Sequence, residues 1–308
     1  MFWKNKSLIV VGLLLLWGCN EIPARETSGN PLIEVAELTL IDHSKTRIID
    51  FRKAEAYNQE HIPGALNLWR KAIENPNFTY GGMLAEKGQI EQVLSELGVA
   101  NEHQLVLYDD RGLPEAARFW WALNHYGFSN VSLLNGGLHS WKSQDMPVES
   151  GVISPQPSNF SFPDNTGSVN VISKEALFDL ISSNQESYVL VDTRSKEEFL
   201  GNKLKNGAAK AGRIPSSVHL DWSEAIHFDG NKKLKSLADL ERIFGRLGAS
   251  KDEKIIVYCH SGVRSSHTYF VLTEMLGYTN VLNYDGSWTE WSHTDYPYID
   301  KLKMLVKN

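Results

Sequence analysis

The feature that most constrains this chain is that it repeats itself once, at a spacing near 150 residues. Residues 47–57, RIIDFRKAEAY, match residues 188–199, YVLVDTRSKEEF. Each is an apolar run that ends in Asp50-Phe51-Arg52 or Asp192-Thr193-Arg194 and continues into a helix-like stretch. His61-Ile62-Pro63-Gly64 then matches Arg213-Ile214-Pro215-Ser216, with about ten extra Lys/Gly/Ala-rich residues, roughly Gly201 to Gly212, ahead of the second copy. LVLYDDRG (105–112) matches IIVYCHSG (255–262), and NVSLLNGGLHSW (130–141) matches NVLNYDGSWTEW (280–291), setting Trp141 against Trp291. A period this long signals duplicated domains rather than a solenoid.

Short Val/Ile/Leu runs bounded by turns and alternating with helical stretches are the pattern of buried parallel strands flanked by helices. The expected fold class is α/β, with two tandem domains, each a mainly parallel sheet flanked by helices. A chain of 308 residues that is 42% hydrophobic can bury two such cores. SGVISPQPSNFSFPDNTGS, with three prolines, denies a regular element between the copies. The expected division is a first domain at 31–150, a linker at 151–168 and a second domain at 169–308. The extra residues at 201–212 read as a loop.

The start of the chain has another character. Lys4 and Lys6 precede an apolar run from Leu8 to Trp17, too short to span a membrane comfortably but laid out as a secretory signal. Its end, Leu16-Trp17-Gly18-Cys19, resembles a bacterial lipobox, which implies that residues 1–19 are a signal peptide ending at an acylated Cys19 and residues 20–30 a tether. Asn20 after the cysteine favours the periplasmic face of the outer membrane. Only two cysteines exist, so with Cys19 lipidated Cys259 has no intramolecular partner in an oxidising compartment. The net charge of -6 and the lack of a Lys/Arg-rich run argue against a nucleic-acid partner.

Cys259 sits where chemistry is expected. The strand-like Ile255-Ile256-Val257-Tyr258 delivers it to the loop His260-Ser261-Gly262-Val263-Arg264, after which SSHTYFVLTEML reads as a helix. Strand ends are where open α/β sheets gather their sites. A loop entering a helix N-terminus turns several N–H groups toward one point, a field that stabilises a thiolate or the terminal sulfur of a persulfide. The same alignment places Asp109 opposite Cys259, so the first domain cannot use that position for sulfur.

YCHSGVRSS resembles the active loop of rhodaneses, and the duplicated Asp-x-Arg, (His/Arg)-Ile-Pro and Asn-Gly/Asp-Gly elements resemble the tandem rhodanese architecture. The resemblance implies a sulfurtransferase that moves a sulfane sulfur from thiosulfate, or 3-mercaptopyruvate, through a persulfide on Cys259 to cyanide or another thiophilic acceptor. It implies a silent first domain that walls the active site, and no cofactor. Arg194 and Arg264 are its expected substrate-binding cations, with His260 expected to add positive potential. Asp50, His61 and Ser261 stand where mercaptopyruvate enzymes are thought to relay protons. Glu198 stands four residues beyond the Asp-x-Arg arginine, where thiosulfate-using relatives carry a second Arg. Trp288 and Trp291 fit ordinary packing or a pocket wall.

Two other functions compete. Related cysteine phosphatases use Cys-x5-Arg, whereas Cys259 to Arg264 is Cys-x4-Arg, a shorter loop that suits sulfur better than phosphate. A membrane-tethered persulfide carrier would serve a protein partner without useful turnover on small donors. The ten His and two Cys show no metal-ligand spacing. The expected partners are a small anionic sulfur donor, a thiophilic acceptor and, through the lipid, a membrane. A monomer is expected.

Overall fold

The computed structural model describes residues 30–164, 171–183 and 187–301, so Cys19, the signal segment, the tether up to residue 29 and the end of the linker lie outside the described residues. Each half of the repeat forms one parallel sheet. In the first half, the elements are β1 (Leu32–Ile33), α1 (Val35–Leu38), β2 (Thr46–Asp50), α2 (Ala54–Gln59), β3 (Leu66–Asn67), α3 (Lys87–Glu96), β4 (Gln104–Tyr108), α4 (Pro114–His125), β5 (Val131–Leu134) and α5 (Gly137–Lys142). The strand order is β1-β5-β4-β2-β3. The second half runs α6 (Lys174–Ser183), β6 (Val189–Asp192), α7 (Lys196–Phe199), β7 (Val218–His219), α8 (Leu237–Phe244), β8 (Ile255–Tyr258), α9 (Val263–Phe270), β9 (Val281–Asn283) and α10 (Ser287–Ser292), ordered β7-β6-β8-β9. Every strand pair is parallel.

The central strands are mainly apolar because helices cover both faces of each sheet. All four residues of β8 are fully buried. In register, Asp50 lies beside Tyr108 and Asp192 beside Tyr258. Asp109 and Cys259 therefore leave their sheets at the carboxyl edge, at equivalent points of the two halves.

The halves are not beads on a string. One apolar cluster runs through both, joining Phe119 and Trp120 of α4 to Tyr269 and Phe270 of α9. Trp120 meets Phe270 edge-on, with ring centroids 4.9 Å apart. The described part of the linker has no regular element, yet it is packed: Phe160 and Phe162 are buried, and Ser158 N–H donates to Ser95 O at 2.8 Å.

The helix expected after the Cys259 loop is present, but it is not α-helical to its end. α9 passes into a π-helical turn at Val271–Met275. α4 starts five residues after Asp109 and α9 four residues after Cys259, whereas Asn135 and Asp285 again stand 150 apart. The wide turn takes up the extra residue.

Candidate active site

Cys259 directly follows β8 and lines a cleft of about 650 Å³ between the halves. Around it lie Ser261, Arg264, Lys205 and Trp222 of the second half and Arg70 and Arg111 of the first. The loop is tied from behind by one hydroxyl: Ser287 Oγ accepts the N–H groups of Cys259 at 3.1 Å and Gly262 at 3.2 Å and donates to Tyr284 O at 2.8 Å. Ser287 holds a left-handed φ of +53°, which disfavours any side chain. Gly137 takes the same φ at the matching position of the first half. The serine in the second half is thus a strained residue kept for its hydroxyl.

The thiol is 1% exposed, and burial alone would push its pKa up. Arg264 and the N–H groups of Ser265 and Ser261 outweigh that, so its pKa lies below the ordinary value. The expected thiolate cradle therefore has a physical basis in named groups.

Of the expected cations, the structure brings only Arg264 to the cleft, and Glu198 clamps it through two bonds of 2.7 and 2.9 Å. Burial opposes the charge on Glu198, but Arg264 pulls its pKa well below the usual carboxylate range. The departure at position 198 is thus the partner of the loop arginine.

Arg194, expected to contact substrate, is buried and is not among the residues that line the cleft. Its guanidinium grips Asp192 at 2.9 and 2.6 Å, donates to Gly212 O at 2.7 Å and lies over the Trp288 ring at 4.9 Å. Tyr258 Oη donates to the same Asp192 and accepts Ile214 N–H. The first half repeats this network with Arg52, Asp50, Glu60 O, Tyr108 and Ile62 N–H. A network built identically in the half without a thiol serves the fold.

The three expected relay residues are not brought together. Asp50 is spent on Arg52 and Tyr108, while the His61 ring stacks on Tyr57 and bonds Tyr57 O at 2.9 Å. Neither lines the cleft, so of the three relay residues only Ser261 is beside Cys259. At His260, burial and nearby Lys205 bring the pKa down to about 4, and its Nε2 meets Asn206 O at 2.9 Å. Since a carbonyl only accepts, Nε2 carries the proton. Trp288 and Trp291 are buried packing residues, and Gly262 and Val263 turn the loop into α9.

Sequence reasoning missed the cation supplied by the extra loop. Residues 201–212 are pinned by Ala209 N–H to Ser292 Oγ at 2.9 Å, Trp288 Nε1 to Lys210 O at 2.9 Å and the His260–Asn206 bond. Lys205 thereby faces the cleft and makes no salt bridge among the described residues. Burial and Arg264 lower its pKa, while Glu198 and Cys259 act the other way. The signal was a lysine-rich insertion beside a motif expecting anions. The aromatic wall, Trp222 with Phe228, was missed because it lies in segments without a motif.

In the first half, Asp109 fills its own cradle. Its carboxylate accepts N–H groups from Arg111, Leu113 and Glu115 at 2.9 Å and from Ala116 at 3.1 Å. The site that would hold a sulfur anion already holds a side chain.

The rhodanese-like domain family matches residues 36–144 and again 173–294. The chain is a tandem rhodanese. Among similar rhodaneses, the sulfur carrier protein TtuD of Thermus thermophilus is 34% identical over 244 residues, covering 77% of this chain and 84% of that one. A Mycobacterium bovis protein named as a candidate thiosulfate sulfurtransferase is 36% identical over 245 residues, covering 77% and 84%. The 3-mercaptopyruvate sulfotransferase SseA of Escherichia coli has a similar structure, with a TM-score of 0.72 at 28% identity over 84% of this chain and 99% of that one. Sulfur transfer is thus the chemistry common to the relatives of this rhodanese.

Proposed function

We propose that this rhodanese takes the outer sulfur of thiosulfate onto Cys259 and passes it to a thiophilic acceptor. The observation that carries the reading is a buried thiol whose pKa is lowered by N–H groups and Arg264 at the floor of a cleft where Lys205 stands free. The thiolate attacks the sulfane sulfur; the S–S bond of thiosulfate breaks and sulfite leaves with the electron pair. The acceptor then attacks the terminal sulfur of the persulfide and returns the thiolate, giving thiocyanate when the acceptor is cyanide. Sulfite leaves as a stable anion, so fixed N–H groups and cations assist without a proton relay. Mercaptopyruvate would need a proton for its developing enolate, and Asp50 and His61 are engaged elsewhere.

The cleft volume is that of a drug-sized ligand, which favours an acceptor larger than cyanide and keeps the carrier reading as the second one. Phosphate release from an aryl phosphate is expected to be nil. We also propose, from Lys4 to Cys19, that the chain is lipidated on Cys19 and held at the periplasmic face of the outer membrane; labelled acyl chains should enter the wild type and not Cys19→Ala.

After thiosulfate treatment of the soluble form starting beyond Cys19, mass spectrometry should find one added sulfur on the Cys259 peptide, with turnover lost in Cys259→Ser. Unmodified Cys259 in a turning-over enzyme would overturn the mechanism. Faster turnover with 3-mercaptopyruvate would reverse the choice of donor.

A further inference from the structure

We propose that Arg118, a residue of the silent half, is a positioning residue for the sulfur cradle, holding the Ser261–Gly262 turn from across the domain interface. The inference rests on Cys259 as the sulfur carrier and adds what keeps its cradle in shape.

Arg118 lies on α4 with 1% exposure, among apolar neighbours. Burying a guanidinium there carries a desolvation cost that calls for specific compensation. It pairs with Asp285 at 2.5 Å, donates to Gly82 O at 2.9 Å and lies over the Trp121 ring at 5.0 Å. The first two of these contacts lead to the cradle. Asp285 stands two residues before Ser287, whose hydroxyl takes the Cys259 and Gly262 N–H groups, and its other oxygen accepts Leu84 N–H at 2.8 Å. Gly82, at φ +101°, is pressed against Ser261 so closely that a Cβ would come within 2.5 Å of the serine Cβ. Gly262 is pressed against the guanidinium itself, since a Cβ there would come within 2.7 Å of Arg118 Nη1. That nitrogen is buried and has no hydrogen-bond partner among the described residues. Its place is set by contact with the turn.

The duplication supplies an internal comparison. The fifth residue of α4 is Arg118 and the fifth of α9 is His267. Asn135 stands for Asp285, and Leu234 N–H donates to Asn135 Oδ1 at 2.9 Å as Leu84 N–H does to Asp285. Both sides of the interface keep this hydrogen bond, but they differ in burial: beside Asn135 the charges that meet are the partly exposed Lys233 and Glu34, at 2.6 Å, whereas among the described residues a buried arginine pairs across the halves beside Cys259. Asp285 offsets the charge of Arg118, so its contribution is geometry: it keeps Ser261 N–H aimed at the sulfur.

The test compares Arg118→Gln with Asn135→Ala, which breaks the matching bond on the silent side, in the otherwise complete chain. Three quantities are read: the pH dependence of Cys259 alkylation by iodoacetamide, kcat and KM for thiosulfate, and the melting temperature. Arg118→Gln should move the alkylation midpoint up by about one pH unit and cut kcat by about tenfold or more, with KM within about twofold. Asn135→Ala should lower the melting temperature without moving the midpoint. An unmoved midpoint in Arg118→Gln, or an equal movement in Asn135→Ala, overturns the proposal. If Arg118→Gln does not fold, Asp285→Asn keeps an acceptor for Leu84 N–H, removes the charge pair and is judged by the same two outcomes. Alkylation reports the thiolate whether or not sulfur moves, so failure of the sulfur-transfer reading shows separately, as an absent persulfide in the wild type.

Discussion

At the scale of single residues, Arg194 and Lys205 are set in different surroundings. Arg194 has the motif position expected of a substrate residue, yet it is bonded on Asp192 and Gly212 O, whereas Lys205 has no motif and lines the cleft that contains Cys259. Their alanine variants should therefore fail differently. Lys205→Ala should cut kcat/KM for thiosulfate by about tenfold, the loss of a charged contact worth about 1.5 kcal/mol, with an unchanged melting temperature. Arg194→Ala leaves the buried Asp192 without its cation and should destabilise the protein by about 3–5 kcal/mol. Steady-state kinetics and urea unfolding on both variants decide it; a stable Arg194→Ala protein with a selective KM defect would restore Arg194 to the substrate site.

Among elements, the two strand-to-helix loops are one device used in two ways. In the second half, the N–H groups of Ser261 and Ser265 face a sulfur and Ser287 ties the loop down; in the first, the Asp109 carboxylate collects four N–H groups and caps α4. Burial pushes the Asp109 carboxyl pKa up, and those N–H groups act against it. Asp109→Asn replaces one accepting oxygen by a donor that faces N–H groups, so stability should fall by about 1.5–3 kcal/mol while kcat stays within about twofold. A collapse of kcat in a folded Asp109→Asn protein would give the first half a chemical role.

For the molecule as a whole, two buried histidines of the second half bear on the response to acid. His260 and His267 are buried and neutral, with pKa values brought down to about 4 and about 3, in both cases chiefly by burial. An unfolded histidine binds its proton near pH 6.5 and the folded ones do not, so the unfolded state binds more protons between there and about 4. Stability should then fall as pH drops through this window, by up to about 1.4 kcal/mol per pH unit for each histidine. Urea unfolding at pH 7.5, 6 and 5 measures the slope, and His267→Gln should remove about half of it. Equal stability at the three values would show that these histidines titrate normally. Glu198 acts in a separate window: its pKa is held low in the fold, so its contribution is present above about 4.5 and lost below.

The sequence by itself determined the duplication, the parallel α/β halves, Cys259 at a strand end before a helix, and Asp109 at the matching position of the first half. These are properties of neighbours in the chain: apolar runs, turn residues and a repeat act over a few residues and survive in any correct fold. Tertiary structure alone decided which charge meets which. Asp50 and His61 read as a relay on the page of the sequence, but Arg52, Tyr108 and Tyr57 lie closer in space. Lys205 reads as part of a surface loop, but three hydrogen bonds between its neighbours and the rest of the second half set that loop along the cleft that also contains Cys259. A buried polar group must be satisfied by whatever the fold brings within about 3 Å, and that partner can come from anywhere along the chain.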